Sequence, residues 1–158
     1  EDEWEVHGGD TCAQAVDQWA TFTDYPSSIQ TLVGNIVYDH FFPTVDEDWY
    51  HIDTADTADV DGSCDPYDVE VFFSANPNSD YRFEIYDLNC NLWASPGNAC
   101  GNNLTEFNWD ASGECPCTNV VSEGHELCTD NSLGFVIRVY RVQGGPDGSD
   151  YLLTVSNG

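Results

Sequence analysis

The chain has 158 residues, the size of one domain and enough to build its own hydrophobic core. Three Lys and Arg residues stand against 29 Asp and Glu residues, which gives a formal net charge of −26 at pH 7. This balance excludes nucleic acid and anionic membrane surfaces as partners, because both are bound by clustered cations. No apolar stretch is long enough to insert into a bilayer. A hydrophobic fraction of 41% and an aromatic fraction of 13% predict a folded domain despite the charge.

The first residues alternate in character. Over residues 1–6, three Glu alternate with Trp4 and Val6, which fits either a strand that pairs elsewhere or a frayed terminus. We take residues 1–9 as an N-terminal extension that can be donated as a strand, with Trp4 and Val6 as its contact residues in self-association. Residues 11–20 predict one short helical turn. The opening is not a signal peptide, so a secreted protein would already be processed.

The rest of the chain is punctuated by strand signals. In residues 68–74, for example, alternation places Val69, Val71 and Phe73 on one face. The gaps are rich in Gly, Pro, Asn and Asp, which is typical of turns. The sequence therefore predicts an all-β fold, an antiparallel β-sandwich or jelly roll of about eight strands. The predicted strands are residues 29–37, 49–52, 68–74, 81–88, 92–95, 104–109, 135–142 and 151–156.

The cysteine content indicates an oxidising compartment. Seven cysteines in a chain of this size suggest a secreted protein with disulfides, and the odd number leaves at least one without a partner in the same chain. Spacing along the chain suggests the pairs Cys90–Cys100 and Cys12–Cys64. The last three cysteines, with His125, also resemble a zinc cluster, but oxidised pairs fit a secreted chain better. The disulfide candidates are Cys12, Cys64, Cys90, Cys100, Cys115, Cys117 and Cys128.

The acidic residues between 46 and 68 are the candidate calcium ligands. Residues 57–62 carry oxygen-bearing side chains at alternate positions before a glycine, and Asp68 follows, an order close to that of calcium loops. The alternative is a solvated acidic loop. Asp147 and Asp150 are further oxygen donors. The committed calcium ligands are Asp46, Asp48, Asp59, Asp61 and Asp68.

Aromatic and catalytic motifs complete the survey. Trp93 and Trp109 are candidate platforms for sugar rings, with core packing as the alternative, whereas Trp49 lies in a predicted strand and is assigned to the core. No GxSxG motif occurs, and residues 125–129 lack the second histidine of a zinc-protease HExxH motif. The carboxylates are too numerous to single out a glycosidase pair. We therefore expect no catalysis.

The order of these motifs resembles the bacterial pre-peptidase C-terminal (PPC) domain family, a small jelly-roll sandwich. The resemblance covers residues 10–156, and each motif is weak alone. It implies a non-catalytic role outside the cell, and some members of the family bind calcium, polysaccharide or collagen-like polymers. The matching motifs are residues 10–15 (DTCAQA), 34–36 (GNI), 46–50 (DEDWY), 69–73 (VEVFF), 83–87 (FEIYD), 92–95 (LWAS), 135–140 (FVIRVY) and 150–155 (DYLLTV).

These observations lead to one functional prediction and one alternative. Residues 10–158 are expected to form a single PPC-like domain with a cysteine-rich insert at about 97–133. We predict a bacterial extracellular or cell-surface building block that associates with copies of itself, into filaments where the contact does not close, stabilised by disulfides and calcium. The alternative is a polysaccharide- or polymer-binding accessory module of a secreted enzyme.

Overall fold

Alternating buried and exposed side chains build two four-stranded sheets that pack face to face. The computed structural model describes residues 11–15, 20–24, 26–36, 47–56, 68–93, 104–110, 132–143 and 149–158, with the backbone alone for 108–110. One sheet has the strand order β1-β3-β7-β5 and the other β2-β8-β4-β6. The strands are β1 Phe22–Thr23, β2 Ser28–Gly34, β3 Glu47–Ala55, β4 Asp68–Ala75, β5 Tyr81–Tyr86, β6 Glu106–Asp110, β7 Leu133–Arg141 and β8 Tyr151–Asn157.

The predicted all-β sandwich of eight strands is confirmed, with two differences in detail. Residues 92–95 were expected to form a strand, but Leu92 forms only an isolated bridge with Tyr86. The eighth strand is instead β1, which is too short to show a periodicity in the sequence. It pairs with β3 in parallel, whereas the other pairs of strands are antiparallel.

The core lies between the sheets and is filled by the inward side chains of every sheet strand but β6's masked positions, chiefly aromatic and β-branched ones. Val69 and Val71 are fully buried, and Phe73 packs against the same cluster, as the alternation predicted. The largest fully buried side chains are Tyr50, Tyr81, Tyr151, Phe22, Phe83, Phe135, Ile36, Ile52, Ile85, Ile137 and Leu153.

The two ends of the sandwich need names, because the candidate sites lie at one or the other. At the Tyr151 end, β8 begins beside the end of β2, since Gly34 pairs with Tyr151. The hydroxyl of Tyr151 reaches Asp48 there, so β3 also begins at this end. At the Asn157 end, β8 finishes beside the start of β2 and of β4, since Ser28 and Val69 both pair with Asn157.

Helices are few among the residues described. The predicted N-terminal helical turn is present as a 3-10 helix at Cys12–Gln14, and a second one spans Pro77–Ser79. Residues 16–19 of the predicted turn lie outside the described residues. Neither helix has the length and apolar character needed to cross a membrane.

The disulfide between Cys12 and Cys90 closes the start of the described chain onto the turn after β5. Both pairings suggested by the sequence, Cys12–Cys64 and Cys90–Cys100, are therefore wrong. They assumed partners that are near in sequence or loop, but the strand order brings together two cysteines that are 78 positions apart. Constraining so long a stretch of chain restricts the unfolded state strongly. The other five cysteines lie outside the described residues.

Gly34 gives a first test of the packing at the Tyr151 end. A methyl group on Gly34 would fall inside the ring of Tyr151, which is fully buried. We expect Gly34→Ala to lower the free energy of unfolding by about 2 kcal/mol, because overpacking forces a fixed ring to move. Gly134→Ala is the matched control, since its new methyl group would meet the mobile end of Leu88 at 2.9 Å. Urea unfolding measures both, and equal losses would contradict the prediction.

Candidate association edge

Strand β2 is an edge strand that carries none of the usual features that block association. Among the described strands it pairs with β8 alone, in an unbroken register of seven residue pairs. Its sequence, SIQTLVG, contains no charged residue and no proline. Ile29 and Val33 on it are 67% and 50% exposed. Natural edge strands are usually protected by lysine, proline, a bulge or an inward charge, and an exposed apolar edge without them favours pairing with another strand.

The other three edges are less suited to pairing. The edge of β5 is already contacted by other parts of the chain, since Phe83 exchanges backbone hydrogen bonds with Leu104 and Trp93 donates to the backbone oxygen of Ile85. Strand β6 begins and ends with an acidic residue, and β1 has only two residues. Strand β2 is thus the long uncharged edge of the described sandwich.

All three arginines of the chain lie among the described residues, and each is engaged within the protein. Arg141 is buried, with its Nη2 3.1 Å from the carboxylate of Asp80. Arg138 binds both carboxylate oxygens of Glu47. Arg82 donates to two backbone oxygens just before it in the chain, at 2.9 and 2.6 Å. Because the chain has no lysine, these contacts use every Lys and Arg side chain it has.

Arg138 organises the outer face of the β1-β3-β7-β5 sheet. Its Nη1 lies 2.7 Å from Glu84, and its guanidinium stacks over Tyr140 with 4.9 Å to the ring centroid. Hydrogen bonding to Glu47 is the main cause that raises the pKa of Arg138 above its ordinary value. Trp49 is buried, but on this outer face beside Arg138 rather than in the core between the sheets, where the sequence placed it. The network holds three strands together and leaves no arginine for an acidic ligand.

Two buried tyrosines and a carboxylate form a hydrogen-bonded chain at the Tyr151 end. The hydroxyls of Tyr50 and Tyr151 are 2.7 Å apart, and Tyr151 donates to Asp48 at 2.5 Å. Burial is the main cause that raises the pKa of Tyr151 well above its ordinary value, and the charge of Asp48 adds to it. Asp48 therefore has a structural partner in addition to any role as a metal ligand.

The structure separates two of the predicted calcium ligands. Asp48 lies at the Tyr151 end, where Asp150 accepts a hydrogen bond from Asn35 at 2.9 Å, whereas Asp68 begins β4 at the Asn157 end. One ion cannot bind both Asp48 and Asp68, because β4 alone is eight residues long, roughly 26 Å. Within the described ranges, no three His, Cys, Asp or Glu side chains are placed to hold a metal ion. Asp46, Asp59 and Asp61 lie outside those ranges.

The candidate sugar platforms have different positions. The ring of Trp93 packs against Phe107 and Phe135, with centroids 6.3 and 6.2 Å away, and is part of the border of the core. Trp109 lies in β6 opposite Val69. Core packing of Trp93 leaves less of its face for a sugar ring. The contact residues of the extension, Trp4 and Val6, lie outside the described residues.

A cleft of about 360 Å³ opens between β4 and β6. Two glutamates, Glu70 and Glu106, stand at it beside the rings of Phe72 and Phe107. No histidine, cysteine or serine is among its lining residues, so the cleft itself supplies no nucleophile. Sequence reasoning missed this cleft, because it depends on the pairing of Phe72 with Glu106 across two distant strands.

Comparison with known proteins adds no relative. No protein-family model, no curated protein and no solved structure matches the chain. The resemblance to PPC domains therefore stays an expectation, and the function is argued from the residues of this chain.

Proposed function

We propose that this protein is a non-catalytic extracellular building block that associates with copies of itself through the edge of β2. The observation that carries the proposal is a regular, uncharged edge of seven residues in a chain with a net charge of −26. Charge repulsion opposes contact over most of such a surface. An uncharged edge with exposed Ile29 and Val33 is where backbone pairing meets the least repulsion.

The proposed occupant of that edge is the N-terminal segment of another copy. Residues 1–6 alternate in the manner of a strand, and a strand that adds to a sheet edge gains backbone hydrogen bonds along its length. Trp4 and Val6 supply its apolar face. Because donor and acceptor are different surfaces, each copy offers one of each, and the contact extends into a filament unless it closes into a ring.

Cations support this association in our proposal, since every Lys and Arg of the chain is already bonded internally. At 0.1 M salt, exposed charges more than about 10 Å apart are largely screened. Calcium is the cation proposed, and Asp46, Asp59 and Asp61 are its remaining candidate ligands. The polysaccharide-binding alternative has weaker support, because the ring of Trp93 packs into the border of the core.

Val33→Lys tests the proposed edge. We expect the wild-type protein to form oligomers and the variant to be monomeric or to need at least a tenfold higher concentration, because lysine on an edge strand blocks pairing. The measurement is the mass from light scattering across a concentration series, in millimolar calcium and in sodium chloride of equal ionic strength. Equal association in the two salts would indicate screening, and association in calcium alone would indicate a specific site.

Val142→Lys is the matched control for this experiment. Val142 is the same residue type, is 46% exposed against 50% for Val33, and follows β7 in the other sheet. The two variants therefore change net charge and exposed apolar area alike. We expect Val142→Lys to associate as the wild type does. A monomeric wild-type protein, or equal effects of the two variants, would contradict the proposal.

A further inference from the structure

We infer that the Cys12–Cys90 disulfide makes the β2 edge accept the N-terminal segment of a neighbouring copy and prevents the segment of the same chain from reaching it. The inference rests on the proposed function and adds the reason why the contact forms between copies. Without such a constraint, a segment attached to the same chain would occupy its own edge first, because tethering gives it an effective concentration in the millimolar range. Three observations carry it, on the anchor, the tether and what else holds the anchor.

The first observation is where the disulfide holds the chain. Cys90 ends the turn after β5, and Leu88 in that turn lies where a Gly134 side chain would stand. Gly134 pairs with the exposed Asp53, so this is the outer side of the β1-β3-β7-β5 sheet at its Asn157 end. Cys12 is held there, with the two Cα atoms 5.9 Å apart. Strand β2 belongs to the other sheet.

The second observation is the length of chain available. If residues 1–6 form the paired strand, only residues 7–10 remain as a tether before the anchored helix begins, and four residues span at most about 14 Å. A path around β1 to the edge of β2 crosses about two strand spacings, roughly 10 Å, and about 15 Å of sheet and core thickness. The sum is close to twice the reach. The segment therefore cannot pair with its own β2 while the disulfide is intact.

The third observation is that little besides the disulfide holds the anchor. The 3-10 helix at Cys12–Gln14 has three residues and no buried side chain. Once the disulfide is removed, the chain is next fixed in β1 at Phe22, which adjoins β2 through a short turn. The tether then spans residues 7–21, up to about 50 Å when extended. The segment can now reach its own edge, and tethering favours that pairing over pairing between copies.

Two variants test the inference by light scattering beside the wild type, in the calcium buffer used for the edge variants. Cys12→Ser/Cys90→Ser removes the anchor. The second variant keeps the disulfide and inserts about 12 Gly and Ser residues between Asp10 and Thr11, which lengthens the tether beyond the path around β1. We expect both to remain folded and to need at least a 100-fold higher concentration for half-association, since protein at micromolar concentration competes with a tethered segment at millimolar effective concentration. Hydrogen exchange should show the β2 amides protected in these monomers.

The outcomes separate this inference from the proposed function. Association of the insertion variant at the wild-type concentration would overturn the inference and leave the proposed function standing, and this variant serves even where the serine variant fails to fold. Monomers with unprotected β2 amides would also overturn it, because the edge would then be empty. A wild-type protein that is monomeric at every concentration would overturn the inference together with the proposed function.

Discussion

Replacing Arg141 by leucine is expected to lower the free energy of unfolding by about 3–5 kcal/mol. Arg141 is 7% exposed and Asp80 is 5% exposed, and Nη2 lies 3.1 Å from the carboxylate. The guanidinium also donates to the backbone oxygen of Gln143 at 2.9 Å and lies over the ring of Tyr81, 5.8 Å from its centroid. Without the arginine, the aspartate would be a buried charge with no counterion, which is the costly state for such a pair.

Urea unfolding at fixed salt measures this effect, since guanidinium chloride would screen the charges under test. Arg82→Leu is the matched control, because Arg82 bonds only to backbone oxygens and is half-buried, and we expect it to cost about 1 kcal/mol. Adding Asp80→Asn to Arg141→Leu removes the orphaned charge and should restore part of the loss. A loss below about 1 kcal/mol for Arg141→Leu would show that the pair adds little to the folded state.

The strands of this protein could be predicted from local pattern, because the sandwich buries every second side chain. Tyr81, Phe83 and Ile85 are all fully buried, as their alternation indicates. Strand β1 could not be predicted, since two residues carry no period, and it forms only because Phe22 and Thr23 lie beside Thr54 and Ala55. Long periodic elements are fixed by their own sequence and short ones by their neighbours.

The candidate site was harder to predict, because its parts depend on register. The sequence marks residues 29–37 as a strand but cannot show that β2 lies at an edge, which follows from the order β2-β8-β4-β6. The disulfide was missed for the same reason, since Cys12 and Cys90 meet only after β5 and the first helix are placed. One missed feature did leave a signal. Arg138 and Arg141 are three residues apart in one predicted strand, so they face opposite sides, and one of them has to point inward.

Above pH 10 the protein is expected to lose stability steeply, with Tyr151 as a main cause. Burial raises the pKa of Tyr151 well above the value of about 10 that it has in the unfolded chain. Below pH 10 the hydroxyl is protonated in both states, so its contribution is fully present. Above pH 10 only the unfolded state releases the proton, so the free energy of unfolding falls by up to about 1.4 kcal/mol per pH unit until the folded pKa is reached. The pKa of Tyr81 is raised by burial too, which steepens the fall.

Tyr151→Phe isolates this contribution, because phenylalanine keeps the ring and cannot ionise. The variant loses its hydrogen bond to Asp48 and should be less stable at pH 8, but its stability should fall less steeply between pH 10 and pH 11.5, by a total of about 2 kcal/mol. Tyr140→Phe is the control, since Tyr140 is only partly buried and its pKa is raised against the opposing charge of Arg138. Urea midpoints across this pH range, read by far-ultraviolet circular dichroism, give the slopes. An equal slope for wild type and Tyr151→Phe would mean that the buried hydroxyl ionises in the folded state as readily as in the unfolded one.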